Sequence, residues 1–363
     1  MQNYMKNNRL FWEGIIIIGV ITLLGCVNLY SALITPSGTV DSLFYRHLLW
    51  LLVGGVIAFF IHFLKPIDIE NFSAIFYILC CILLVGVLLI GKKVNGAQRW
   101  IGIGSFSFQP SEFTKLALIF FMARIFKQMP VVETGYKLNQ LLVPLIIVMI
   151  PLLLILKQPD LGTAIIIFSI AFFTILLMGV NLRLLITFFA SFILLSPIFY
   201  HLLKDYQKKR FLAFLMPEAD PQGAGYHTIQ AKIAVSTGGM FGKGFLRGAQ
   251  SKLGYIPERH TDFVFSVFAE EWGFFGVVVF ILLYLYLIYW MFRVTRNIND
   301  RFLFLSASGI IFLFSLHFII NIAMVSGLFP VVGIPLPLMS YGGTALIVYL
   351  VSLSFMLKLA RVY

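Results

Sequence analysis

Charge is what this sequence has least of. Of its 363 residues only 12% are charged and just 15 are Asp or Glu, against 60% hydrophobic residues. A single soluble core cannot hide that much apolar surface at this length. Cysteine is nearly absent: Cys26, Cys80 and Cys81 all lie inside apolar runs, which excludes a disulfide framework and leaves them as packing residues. Metal-ligand spacing is missing among the six histidines (His47, His62, His201, His227, His260 and His317), so no structural zinc site is expected. No phosphate loop is present either. "GGMFGKGFLRG" (238–248) matches neither G-x-x-x-x-G-K-[ST] nor G-x-G-x-x-G. It is expected to be a flexible loop near a ligand or the headgroups, where Lys243 and Arg247 can meet a phosphate. "SEFTK" puts Ser111 and Lys115 four apart, which excludes the S-x-x-K nucleophile. A net charge of +12 without a basic-aromatic module points to membrane topology and anionic lipid, with no nucleic acid.

What is present is a series of apolar runs long enough to cross about 30 Å of hydrocarbon. They fall near 14–33, 47–64, 72–91, 112–128, 141–156, 160–180, 184–203, 268–292, 303–325 and 338–358. The expected fold class is an all-α polytopic membrane protein of about ten transmembrane helices, the fourth weakened by Lys115 and Arg124. Lys6, Arg9, Lys65, Arg124, Lys127, Lys137, Arg183, Arg293, Arg296, Arg301, Lys358 and Arg361 fall on one side of the spans. Short loops on the other side carry Arg46, Lys92, Lys93, Arg99 and Lys157. The first side, with both termini, is therefore expected to be cytoplasmic. The segment 204–262 becomes a large extracytoplasmic loop whose mixed basic and apolar start suits interfacial helices. "LFPVVGIPLPLMSYGG" (328–343) reads as a re-entrant element, since non-helical backbone at that depth must be buried in protein or line a wet cavity.

The scarcity of acids allows elimination. Glu13, Asp68, Glu70, Glu133 and Asp300 fall on the cytoplasmic side, and Asp41, Asp205, Glu218 and Asp220 in exposed polar loops. Glu112, Asp160, Glu258, Asp262, Glu270 and Glu271 remain. Pro110 suits a helix start, which puts Glu112 in the first turn and Ser111, Glu112 and Lys115 on one face. Lys115 at membrane depth is either half of a structural pair with Glu112 or a cation lining a polar cavity. Asp160 in "KQPDLGTA" is expected first as a helix cap. In "YIPERHTDFVFSVFAEEWG" a helix starting near Thr261 would line up Asp262, Ser266 and Glu270 on a stripe facing the bundle interior. Glu258 and His260 lie beside it. Partial desolvation would raise the pKa of Asp262 and make it a better base. The alternative is that Asp262 caps this helix and pairs with Arg259.

Several stretches in order, "NGAQRWI", "QPSEFTK", "QPDLGTA", "PERHTDFVFSVFAEEWG" and "PLPLMSYGG", resemble the SEDS family (shape, elongation, division, sporulation) across nearly the whole chain. "KKVNGAQRWI" and the short termini are more similar to its elongation branch. The resemblance implies one transmembrane domain over 1–363, including the 204–262 loop. It also implies a peptidoglycan glycosyltransferase of the bacterial cytoplasmic membrane that polymerises lipid II, with a class B penicillin-binding protein as partner. The family's essential aspartate falls on Asp262, and its functional Glu and Lys on Glu112 and Lys115. An in-line displacement needs a base, for which Asp262 is the candidate, and cations on the departing pyrophosphate. Lys115 and Arg99 are the first candidates for that role, then Lys243 and Arg247. A divalent cation such as Mg or Mn can share it, though no carboxylate cage is evident. A transporter or flippase, and a non-catalytic scaffold for a synthase, are the rival classes. Intramembrane charge and broken helices also mark transporters.

Overall fold

A computed structural model gives the architecture. It describes all residues except 1, 35–37, 95–96, 104–105, 203–204, 217–223, 257 and 363. Glu218 and Asp220 lie outside the described residues, as does the side chain of Asp205. The helices are α1 (Gln2–Leu33), α2 (Ser42–Phe63), α3 (Pro66–Ile90), α4 (Pro110–Gln128), α5 (Leu138–Lys157), α6 (Leu161–Met178), α7 (Leu182–Leu202), α8 (Asp205–Leu215), α9 (Ala224–Thr237), α10 (Ala249–Lys252), α11 (Val264–Thr295), α12 (Arg301–Val325) and α13 (Gly343–Val362). Among the described residues eight helices are long and apolar enough to cross a membrane: α1, α2, α3, α5, α6, α11, α12 and α13. Of the other two expected spans, α4 carries Glu112, Lys115, Arg124 and Lys127, and α7 spans Leu182–Leu202, 21 residues, apolar over Leu182–Ile198 among the described residues. Large apolar side chains stand exposed on these helices, among them Leu52, Leu89, Ile193 and Leu194. That is the surface expected of a protein solvated by lipid tails.

One element departs from an all-helical expectation. Between α3 and α4 the chain forms a three-stranded antiparallel sheet, β1 (Lys92–Val94), β2 (Ala97–Ile103) and β3 (Phe106–Phe108), in the order β1-β2-β3. Lys92 pairs with Trp100 and Ile101 with Phe108. Short hairpins of this kind carry a weak periodic signal, which the glycines at 96, 102 and 104 weaken further.

The chain divides into two compact units. The first comprises residues 1–64, 213–298 and 313–363; the second comprises 65–212 and 299–312. In the first unit α1, α2, α11 and α13 pack around Phe280, Tyr284, Trp290 and Tyr349, with Tyr284 stacked on Phe318 at 4.2 Å. The loop helix α9 packs on α11. In the second unit α3, α4, α5 and α6 pack together, and Phe173 stacks on Phe312 at 4.2 Å.

Within the first unit the glycine-rich segment is not a loose loop. α11 breaks at Gly273, whose φ of 62° and ψ of −166° are open to glycine alone. The break frees helical carbonyls and amides, which cannot stay unpaired in an apolar setting. Residues 239–244 supply the partners. Lys243 N–H donates to Glu270 O and Gly244 N–H to Glu271 O, both at 3.0 Å, while Phe274 N–H donates to Gly239 O at 2.8 Å and Phe275 N–H to Met240 O at 3.1 Å. A side chain at Gly242 would overlap the Glu271 carbonyl. The glycines therefore let the loop backbone fill a gap in a helix, which corrects the expectation of a flexible loop.

Candidate functional site

In the first unit the expected stripe does not form. The N–H groups of Thr261 and Phe263 both donate to Glu258 O, at 3.1 and 3.3 Å, and this turn delays α11 to Val264, with Phe263 as its N-cap. Asp262 thus precedes the helix, half-buried, rather than heading a face shared with Ser266 and Glu270. The N-cap position belongs to Phe263. Arg259, the expected alternative partner of Asp262, donates to the carbonyls of Ala32 and Ser251.

The main chain around Asp262 is held with unusual completeness. Three successive carbonyls accept hydrogen bonds from outside the turn. His260 O receives Tyr341 N–H at 2.8 Å, Thr261 O receives Ser340 Oγ at 2.6 Å, and Asp262 O receives Asn321 Nδ2 at 3.0 Å. Asn321, fully buried on α12, also donates to Ile334 O at 2.8 Å, so one amide ties residue 262 to the proline-rich segment. Ser340 in turn accepts Leu336 N–H at 2.8 Å. Residues 328–342 are non-helical, and Ile334, Leu336, Leu338 and Met339 are buried, as the re-entrant expectation required. The Asp262 carboxylate lies against Gly333, where a Cβ would stand 3.3 Å from Oδ2. His227 of α9 stacks on Phe263 with ring centroids 6.0 Å apart. His260 sits beside Tyr341, and burial holds its pKa below the ordinary 6.5, with the charge of Arg259 adding to that and Glu258 and Asp41 opposing it.

Three of the supporting residues serve other ends. Glu270, 0% exposed, pairs with Lys243 at 2.7 Å and accepts Gln250 N–H at 3.0 Å. Its neighbour Glu271 accepts Ser31 Oγ and Leu246 N–H. The two acids therefore pin residues 243–251, and the ammonium of Lys243 is neutralised within the fold. Ser266 Oγ closes a local bond to Phe263 O at 2.6 Å. Glu258 is exposed and accepts Thr261 Oγ1, so it lines no buried cavity. Arg247 is exposed, with no ion-pair partner among the described residues.

A second cluster occupies the other unit. Pro110 starts α4 as expected, and the buried Lys115 ammonium lies 2.9 Å from Oε1 and 2.8 Å from Oε2 of Glu112. Asp160 caps α6 by accepting Thr163 N–H at 3.2 Å, also accepts Thr163 Oγ1 at 2.9 Å, and pairs with Arg99 at 3.5 Å. Arg99 also donates to Pro159 O. Gln109 joins this group, donating to Ser111 Oγ at 3.1 Å and Asp160 Oδ2 at 3.4 Å. Sequence reasoning passed over Gln109 and Asn321. The signal for Asn321 was available: an amide inside an apolar span seeks a partner across helices. The described residues bring together no group of three or more His, Cys, Asp and Glu, so they form no all-protein cage for a divalent ion.

Apolar spans, a broken helix sealed by its own loop and polar clusters within them define a polytopic helical membrane protein. The family model for FtsW, RodA and SpoVE, described as "Cell cycle protein", matches residues 11–362, and the chain belongs to that family. It is 38% identical over 359 residues to the peptidoglycan glycosyltransferase MrdB of Escherichia coli K12, covering 97% of this chain and 96% of that protein. It is 31% identical over 402 residues to the peptidoglycan glycosyltransferase RodA of Treponema pallidum, covering 90% and 92%. Among solved structures it resembles a chain of a peptidoglycan synthase complex that coordinates polymerization and crosslinking. There the TM-score is 0.82 and the identity 33%, over 96% of this chain and 97% of that one. The rod shape-determining protein RodA of Thermus thermophilus matches with a TM-score of 0.71 and 30% identity, over 96% of each chain.

Proposed function

We propose that this chain is an inverting peptidoglycan glycosyltransferase acting at the outer face of the bacterial cytoplasmic membrane during elongation. Its substrate is lipid II. The acceptor hydroxyl oxygen attacks the anomeric carbon of the donor sugar, a β-1,4 bond forms, and the bond to polyprenyl pyrophosphate breaks. Asp262 takes the hydroxyl proton as the nucleophile forms. The observation that carries this assignment is the clasp on three successive carbonyls, His260, Thr261 and Asp262. A general base works only where its carboxylate is held near the productive geometry, and a fixed main chain is the way to hold it.

The departing pyrophosphate needs cations. Arg247 becomes the first candidate in the unit that holds Asp262, because Lys243 is committed to Glu270. Lys115 and Arg99 stay in the proposal as cations of the second unit, with Glu112 and Asp160 orienting them. No step is routed through a metal ion. The termini face the cytoplasm, as the excess of Lys and Arg on that side suggests. A class B penicillin-binding protein is the proposed partner, in keeping with the synthase complex to which this chain is similar.

Purified protein given labelled lipid II tests the assignment. Glycan chains made by the native protein and lost in Asp262→Asn are expected. Lipid movement between leaflets without polymer would favour a flippase, and neither activity would favour a scaffold.

A further inference from the structure

An apolar slot of about 190 Å³ lies between α5, α6 and α7, and shares no residue with either cluster described above. Its lining is wholly apolar, including Leu141, Val148, Met149, Phe168, Phe172 and Phe188. A slot of that size cannot admit a helix about 10 Å across. It fits part of a single hydrocarbon chain.

The entrance carries a different chemistry. A parallel bridge joins Tyr136 to Val180: Tyr136 N–H donates to Gly179 O at 3.0 Å and Asn181 N–H to Tyr136 O at 3.1 Å. This bridge joins the segment that leads into α5, where Lys137 follows Tyr136, to the segment that leads into α7, where Arg183 lies two residues after Asn181. The neighbours of these two cations, Leu138 and Leu184, line the slot. Both cations are exposed, and among the described residues neither has an ion-pair partner. Glu133, in the segment before α5, is exposed and makes no ion pair with either cation among the described residues. Arg301 stiffens that segment by donating to Met129 O and Tyr136 Oη.

We infer that this slot and its two cations form a binding site for one anionic phospholipid, with an acyl chain between α5, α6 and α7 and the phosphate at Lys137 and Arg183. Cations at the ends of membrane helices attract anionic headgroups. A neighbouring protein helix would be too wide for the slot and would give the paired cations no partner. The site is independent of the catalytic proposal, because it neither uses Asp262 nor needs substrate.

Native mass spectrometry of the full chain in detergent tests it, with phosphatidylglycerol and phosphatidylcholine of identical acyl chains as probes. The native protein should retain phosphatidylglycerol on the order of tenfold more than phosphatidylcholine at low salt. Lys137→Gln with Arg183→Gln should abolish that preference, while Ala171→Phe, which fills the slot, should lower retention of both lipids. Met149→Trp serves as a second filling variant should the first fail to fold. Equal retention of the two lipids by the native protein, or a preference that survives loss of both cations, overturns the headgroup site. Unchanged retention in a folded filling variant overturns the acyl site.

Discussion

Gly273→Ala offers the sharpest measure of how the first unit is built. Its backbone angles, φ 62° and ψ −166°, cost a residue with a Cβ about 1–3 kcal/mol. The added methyl would also overlap the amide nitrogen of Gly242 and stand 2.8 Å from the carbonyl carbon of Phe241, and backbone atoms cannot swing aside. Relief requires the 239–244 loop to move away from the helix. That movement breaks the four hydrogen bonds that seal the gap, at 3.0, 3.0, 2.8 and 3.1 Å. At about 1 kcal/mol each they add roughly 4 kcal/mol, more if the freed groups stay dry. The expected loss is thus about 5 kcal/mol or more. Gly19→Ala is the control: a Cβ there meets nothing within 4 Å, and helix propensity predicts a gain of about 0.5–1 kcal/mol. Thermal unfolding in detergent, followed by monodisperse recovery, should show a large fall for the first variant and none for the second. Equal midpoints for Gly273→Ala and native protein would refute the sealed-break account.

Three further outcomes are expected. Glu112→Gln or Lys115→Met alone should destabilise by about 3–5 kcal/mol by stranding a buried charge, whereas Glu112→Leu with Lys115→Met should cost much less; polymerisation by that stable double variant would assign the pair to the scaffold, and its loss to the reaction. Asn321→Leu removes the donor to Asp262 O and Ile334 O and should lower kcat roughly tenfold with the lipid II KM unchanged; a native rate would mean that the clasp positions nothing. For His260, burial depresses the native pKa against Glu258 and Asp41, so its contribution to stability is full above the ordinary 6.5 and is lost as pH falls through the native value. His260→Gln should therefore flatten the acid side of a melting-temperature profile between about pH 7 and 5, and an unchanged profile would count against it.

The spans were legible because a run of about 20 apolar residues has few other uses. The break in α11 was not. Gly273 and Gly276 look alike in "WGFFG", and only the approach of residues 239–244 gives the first of them its backbone angles. The helix start was misplaced for a similar reason. "HTDF" has the composition of a cap, yet Glu258 O takes both turn amides first and α11 begins at Val264. Lys243 and Arg247 could not be ranked from sequence either, since what separates them is Glu270, 27 and 23 residues downstream, which takes up only the first. The local cap at Asp160 and the helix start at Pro110 were readable because both depend on neighbours in the chain.

Burial alone would choose a different acid from the one proposed. Glu270 is the most deeply buried of the six candidate carboxylates, and its oxygens are occupied by Lys243 and the amides that hold the glycine loop. A buried charge in an apolar setting must be answered by donors, and a fold can supply them for its own sake. What sets residue 262 apart is the investment in its main chain. Three donors from α12 and the proline-rich segment converge on consecutive carbonyls, in a stretch that forms neither helix nor strand. Regular structure satisfies backbone groups through its own repeat, so a run of carbonyls served one by one from elsewhere reflects a conformation that the local sequence would not hold unaided. That is a physical reason to place the reactive carboxylate there, and it ranks Asn321 and Ser340 above Ser266 and Glu258 as the residues whose loss should misplace it.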